Sequence, residues 1–276
     1  MSVAIIGCGW LGSALATHLL KESVNVVGTC QSDVSLQKLQ GLGIRGIKLV
    51  LPFDNEPDEA VFEQLSADTW VISITPQLRK GKIDYPLKIE QLVTLAKQLK
   101  VKRIILVSST AVLNGLTGDV NESAALDLSA PKVDVLAQAE QLVLGVDSTA
   151  MQTAVIRMSG LVGEDRHPGR FFKQTKQYTQ GNAPVNLIHK VDAVGLLACL
   201  VSCNEVSGIY HGVSETNATK ANFYQQSAKV LGQPEPAFDI SDKEAGYKRI
   251  IGIDSTNRLG YQFEIPDLVQ WIATSK

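Results

Sequence analysis

Six residues near the start of the chain, Gly7-Cys8-Gly9-Trp10-Leu11-Gly12, constrain the fold more than any other segment. They have the spacing G-x-G-x-x-G, follow the apolar run Val3–Ile6 and open a helical pattern over Leu11–Leu20. Each glycine has its own physical task in such a loop. Gly7 makes the tight turn out of the strand, Gly9 has no side chain to hold a pyrophosphate away from the backbone, and Gly12 lets helix and strand pack closely. The helix N-terminus then presents free N–H groups and a partial positive charge to an anion. Outside a strand-turn-helix context the spacing would be only a glycine-rich turn. Within it, Gly7, Gly9, Trp10, Leu11 and Gly12 read as the contacts of a dinucleotide-binding loop.

The rest of the first half continues the alternation. Apolar runs fall at Val3–Ile6, Asn25–Thr29, Gly46–Val50, Trp70–Ile74, Arg103–Ser108 and Thr153–Met158, with amphipathic segments between them. Such runs suit strands buried on both faces and joined by crossover helices. Glu59–Leu65 is acidic at its start, as the helix dipole favours, and Leu87–Leu99 repeats apolar residues at helical spacing. The predicted class is α/β, a Rossmann-type doubly wound parallel sheet with a small C-terminal substrate lobe. After Met158 come a polar loop, Gly163–Arg170, a helix-like run, the apolar segment Val185–His189 and a buried helix over Ala193–Ser202. The tail is less regular, punctuated by Pro234, Pro236 and Pro266, with a final helix expected over Asp267–Ala273. Residues 1–158 are expected to form the dinucleotide-binding core, with 184–212 returning to it, and 159–183 and 213–276 to form the lobe.

Charge narrows the partners. The 276 residues carry 26 Lys+Arg against 28 Asp+Glu, a net charge of 26 − 28 = −2, without the basic surplus of a nucleic-acid binder. The longest apolar stretch, Ala193–Cys203, is shorter than the roughly 18 residues of a bilayer span. The chain runs from Met1 directly into an apolar strand, with no basic, cleavable leader. The expected setting is therefore cytoplasmic, with no membrane and no nucleic-acid partner. Cys8, Cys30, Cys199 and Cys203 are too irregular for a disulfide framework and lack companions at metal-ligand spacing, so reduced thiols and no metal are expected.

Several further segments, in order along nearly the whole chain, resemble the extended short-chain dehydrogenase/reductase family in its NAD(P)-dependent epimerase/dehydratase branch. Besides the glycine loop these are Ile74-Thr75-Pro76, Ile104–Asn114 (IILVSSTAVLN), Val155–Gly163 (VIRMSGLVG), Val185–Asp192 (VNLIHKVD) and Leu259-Gly260-Tyr261 with Pro266. The resemblance implies that Thr75, Pro76 and Ser108 lie beside a bound NAD or NADP. It also implies a small-molecule substrate of the nucleotide-sugar kind and a homodimer built from helices of the core. The end of the second strand, where an acid would bind the ribose diol of NAD and a basic residue the 2′-phosphate of NADP, reads Thr29-Cys30-Gln31-Ser32-Asp33. No strand-end carboxylate repels a 2′-phosphate, and Thr29, Gln31 and Ser32 offer donors, which tilts the reading toward NADP.

The family's chemistry rests on a Tyr-x-x-x-Lys pair and a Ser or Thr. The tyrosine exchanges a proton with the substrate, and the lysine holds the nicotinamide ribose and lowers the phenol pKa. Ser109 takes the Ser/Thr role by its offset, with Thr110 beside it facing substrate. In the helix Pro131–Glu140 the lysine position falls on Leu136 and the tyrosine position on Lys132, and no Tyr-x-x-x-Lys occurs elsewhere. Lys132 could serve as an acid if burial lowered its pKa; a solvent-facing lysine in the first helical turn is the plainer reading. Arg166 and Arg170, with His167, cluster in the loop after the sixth strand and could clamp an anionic substrate. His189 reads as a structural histidine, and Cys8, Cys199 and Cys203 as packing. These residues leave open an epimerase/dehydratase-like or reductase enzyme, a simple oxidoreductase acting on a small carbonyl, and a dinucleotide-binding sensor or regulator that has lost catalysis.

Overall fold

Strands buried on both faces need a layer of helices on each side, and the chain supplies both. The computed structural model describes residues 1–54, 59–147, 149, 151–172, 176–241 and 246–275. The first half contains β1 (Ser2–Ile6), α1 (Trp10–Lys21), β2 (Asn25–Cys30), α2 (Asp33–Gly41), β3 (Arg45–Lys48), α3 (Glu59–Leu65), β4 (Thr69–Ile72), α4 (Tyr85–Gln98) and β5 (Arg103–Ser109). Next come β6 (Gly118–Val120), α5 (Pro131–Leu144), β7 (Gln152–Met158), β8 (Gly160–Val162) and β9 (Gln177–Tyr178). The remainder holds β10 (Leu187–His189), α6 (Lys190–Ser202), β11 (Gly208–Gly212), α7 (Lys220–Val230), β12 (Ala237–Phe238), β13 (Lys248–Ile250), α8 (Ile253–Leu259) and α9 (Leu268–Thr274).

One seven-stranded sheet runs in the order β11-β7-β5-β4-β1-β2-β3, parallel throughout. Side chains alternate between its two faces. Trp70, Ile72, Ile104 and Leu106 pack against Ile89, Leu92, Leu136 and Val143 of α4 and α5 on one side. Val71 and Ile105 join Leu11, Leu15, Leu197 and Leu200 of α1 and α6 on the other. The strand order reverses between β1 and β4, and a ligand crevice is expected outside the carboxyl ends at such a switch point.

Two of the apolar runs are longer than the strands they produce. β3 ends at Lys48 and β4 at Ile72; the Leu49 and Ser73 N–H groups still donate to the Cys30 and Ile6 carbonyls at 2.8 Å, and with Leu51 and Ile74 these residues wall a cavity at the carboxyl ends of the strands. The edge strand β11 was not marked by an apolar run: Gly208-Ile209-Tyr210-His211-Gly212 is short and glycine-flanked. Its register with Ala154–Met158 nevertheless brings the chain back to the sheet.

Beyond the sheet, β8 pairs with β10 and β9 with β12 near a small cluster of Val162, Val185, Leu187, Phe223, Tyr224, Leu268 and Ile272, while β6 pairs with β13, and their Val120 and Ile250 join the core on the α4–α5 side. A buried carboxylate ties this part to α6. Asp192, 0% exposed, accepts from the Tyr261 hydroxyl at 2.9 Å and from the N–H groups of Glu264 and Ile265 at 2.7 and 3.1 Å. No helix among the described residues is long and apolar enough to cross a membrane. Asp192→Ala would leave two half-buried backbone donors and a phenol without their acceptor, a loss of about 2–3 kcal/mol. We expect its Tm in scanning calorimetry to fall by about 6 °C or more, with a smaller fall for Asp192→Asn, which retains an acceptor.

Candidate functional site

The three loop glycines are required for different reasons, and the differences locate the site. Gly7 has φ +100°, a region that favours glycine, and an added Cβ would also stand 2.9 Å from Ile74 Cγ2. A Cβ on Gly12 would stand 2.5 Å from the Gly7 carbonyl oxygen. A Cβ on Gly9 would meet nothing within 4 Å. Gly7 and Gly12 are thus demanded by the fold, whereas Gly9 keeps a space open. Gly9 also N-caps α1 without any side-chain hydrogen bond to the first turn, which leaves donors available to an anion. Thr29 spends its hydroxyl on this turn, accepting the Gly7 N–H at 2.9 Å.

Two cavities meet at Gly9. One of about 230 Å³ is lined by Gly7, Thr29, Gln31, Ser35 and Lys88 among others. The second, about 240 Å³, is lined by Trp10, Leu11, Pro76, Ser108, Ser109 and Leu136 among others. Gly9, Ser73, Ile74 and Thr75 belong to both. Lys88 is the functional candidate that the sequence pattern missed. It sits four residues after Asp84, and its amine is 2.9 Å from that carboxylate in a largely buried pair facing the first cavity. The i, i+4 spacing was the available signal. Cys8 also faces this cavity, but burial pushes its thiol up to about 12, consistent with packing.

At the carboxyl end of β5 the adjacent serines differ. The Ser108 hydroxyl donates to Glu140 Oε1 at 2.6 Å. The Arg157 guanidinium holds the same carboxylate, Nη2 to Oε2 at 2.7 Å, with both charges sealed from solvent. Ser109 Oγ instead accepts the Ala111 N–H at 3.2 Å, so its own proton remains available to a ligand oxygen. Thr110 begins the following turn and lines neither cavity; its carbonyl accepts from Lys248 Nζ at 3.1 Å. Burial and the neighbouring Lys220 charge push the Lys248 amine down to about 8.

Lys132 is exposed and lines neither cavity, while Leu136, one turn on, lines the second. The three residues of the expected cluster in the loop Gly163–Arg170 have different surroundings. Arg166 lines the second cavity, its guanidinium 5.6 Å from the Trp10 ring. Arg170 is exposed and lines neither. His167 is buried, bonded to Ser275 and 5.6 Å from the Trp271 ring. Among the described residues no three His, Cys, Asp or Glu side chains group so as to hold a metal ion.

The parallel sheet, the glycine loop and the lobe above the carboxyl ends resemble the fold of solved structures that include a short-chain dehydrogenase/reductase superfamily protein from Agrobacterium tumefaciens, with a TM-score of 0.78 at 16% identity and coverage of 99% of this chain and 96% of that one. The similar solved structures include MoeE5 in complex with UDP-glucose and NAD, with a TM-score of 0.79, 18% identity and coverage of 100% of this chain and 97% of that one. UDP-glucuronic acid 4-epimerase from Bacillus cereus in complex with NAD also has a TM-score of 0.79, with 15% identity and coverage of 100% and 97%. No family model matches the sequence. At 32% identity over 271 residues, 96% of each chain, this protein belongs to the family of Protein YeeZ from Escherichia coli (strain K12).

His167, His189 and His211 are all held below the ordinary histidine range, chiefly by burial. As pH falls through about 6.5, the unfolded chain takes up protons that these histidines refuse in the fold until lower pH. Stability must therefore fall with falling pH in that window. Melts at pH 7.5 and 5.5 are expected to show a lower Tm at 5.5; equal values would contradict the assignment.

Proposed function

We propose that this chain binds NAD(P) across the two cavities, with its pyrophosphate at the first turn of α1, and uses it in an epimerase, dehydratase or reductase reaction on a small cytoplasmic substrate of the nucleotide-sugar kind. The observation that carries the reading is Gly9. It is the one loop glycine whose missing side chain serves no packing purpose, and the space it leaves joins the two cavities. The neighbouring complexes with NAD, UDP-glucose and UDP-glucuronic acid support the cofactor and the substrate class.

The surrounding residues fit such a group. Gly7, Thr29 and Gln31 lie on one side of Gly9, and Trp10, Leu11, Thr75, Pro76 and Ser108 on the other, with Gly12 packed beneath. Lys88, paired with Asp84, still has N–H donors to offer from the wall facing the loop. No carboxylate from the end of β2 lines the first cavity, and Asp33 is paired with Lys48 at 2.9 Å. Gln31 and Ser35 offer donors there, which favours NADP over NAD. The bound nicotinamide supplies hydride removal and return. Ser109 polarises the reacting oxygen with its free hydroxyl proton, and Arg166 flanks the substrate side. In this division residues 1–158 with 184–212 hold the dinucleotide, and 159–183 with 213–276 close over the substrate.

A second reading, a non-catalytic dinucleotide sensor, is favoured by one observation. The helix that should bear the proton-transfer pair offers an exposed Lys132 and an apolar Leu136. Undiminished biological function after Ser109→Ala and Lys132→Ala would support it, and turnover across a nucleotide-sugar panel would reject it.

Calorimetric titration with NAD, NADH, NADP and NADPH tests the shared claim. We expect binding, tighter for the phosphorylated pair, and a loss of about 100-fold or more in Gly9→Glu, whose side chain fills the pyrophosphate space. Because that space is open, the variant's Tm should stay near the wild-type value. Failure of the wild type to bind any of the four would reject dinucleotide binding.

A further inference from the structure

Buried hydroxyls without partners are rare, because an unmade hydrogen bond in the interior is costly. Tyr85 Oη and Ser159 Oγ have no partner among the described residues, and both belong to residues lining the same cavity, the one that holds Ser109 and Leu136. Their side chains come from different elements. Tyr85 is the first residue of α4 and is 1% exposed; Ser159 follows β7 and is 5% exposed. Nothing in the sequence pairs them, since they are brought together only by the sheet and by the packing of α4 against α5.

The other groups around this cavity explain why the two atoms matter. α5 contributes Leu136, which has no polar atom. Ser108 lines the cavity, but its proton is committed to Glu140. Burial and the Glu140 charge raise the Tyr85 phenol well above its ordinary range, so it is a neutral donor and not a phenolate. A neutral phenol and a hydroxyl suit uncharged oxygens better than they suit phosphate, which marks this cavity as the end that takes the sugar hydroxyls and carboxamide of a nicotinamide riboside.

We propose that Tyr85, assisted by Ser159, hydrogen-bonds the nicotinamide-riboside half of the dinucleotide, entering from α4 the region where α5 provides only leucine. This rests on the dinucleotide reading above, and it assigns the phenol to ligand binding, not to proton transfer. The orphaned hydroxyls are then groups whose partner arrives with the ligand.

The test compares wild type, Tyr85→Phe and Ser159→Ala in titrations with NAD and NADP and with the fragments ADP and 2′,5′-ADP, which lack the nicotinamide riboside. Tyr85→Phe should weaken dinucleotide binding about tenfold, the effect of one lost hydrogen bond, and Ser159→Ala about threefold. Both should leave fragment affinity within twofold. Since Tyr85→Phe removes a buried hydroxyl that has no partner in the free protein, its ligand-free Tm should equal or exceed the wild-type value. Dinucleotide affinity in Tyr85→Phe within twofold of wild type overturns the proposal. So does a Tm loss accompanied by equal weakening of dinucleotide and fragment, because that pattern marks a structural hydroxyl. Wild type that binds the fragments and dinucleotides while Tyr85→Phe matches it refutes only this inference; wild type that binds none of them refutes the dinucleotide reading together with it.

Discussion

The approach of α1 to β1 is set by a single contact, and much of the molecule hangs from it. With only hydrogen on the Gly12 α-carbon, the first helical turn settles against the Gly7 carbonyl, where a methyl group would stand 2.5 Å from that oxygen. That closeness aims the N-terminus of α1 across the sheet at the point where strand order reverses. It also places Trp10 at the boundary between the sheet and the lobe, and it leaves the peptide at Gly9 bare. The contact is an exclusion: it works because nothing is there. Its counterpart on the other side of the cleft is an attraction, the sealed Glu140–Arg157 pair, which joins α5 to β7 and fixes the hydroxyl of Ser108. Removing one member of such a pair leaves a buried charge uncompensated, so the two residues stand or fall together.

The fold was legible because its determinants are local. Apolar runs of strand length, amphipathic segments between them and the glycine spacing each depend on residues within one or two turns, and these specified six of the seven sheet strands. β11 escaped because its burial comes from the partner strand and not from its own composition. The site was legible only where it coincides with the loop. Gly7, Gly9 and Gly12 could be placed by pattern, since the chain itself fixes their surroundings; Thr75 and Ser109 come only from the family resemblance. Glu140 and Ser108 lie 32 residues apart, and Tyr85 reaches their neighbourhood from a third element, so no spacing rule unites them. Arg166 and Arg170 show the converse: the two lie close in sequence, yet only Arg166 lines the second cavity.

Trp10 belongs to the glycine loop, yet much of what it touches lies in the second half of the chain. Its indole N–H donates to Asp165 at 2.8 Å, Asp165 holds Lys190 at 2.9 Å, and Lys190 lies 5.0 Å from the indole ring. The three residues form a closed triangle of hydrogen bond, ion pair and cation–π contact. One corner is the first residue of α1, and the other two belong to the polar loop after β8 and to the start of α6. The glycine loop and the polar loop that bears Arg166 are therefore tied to each other at one point by contacts of three different kinds.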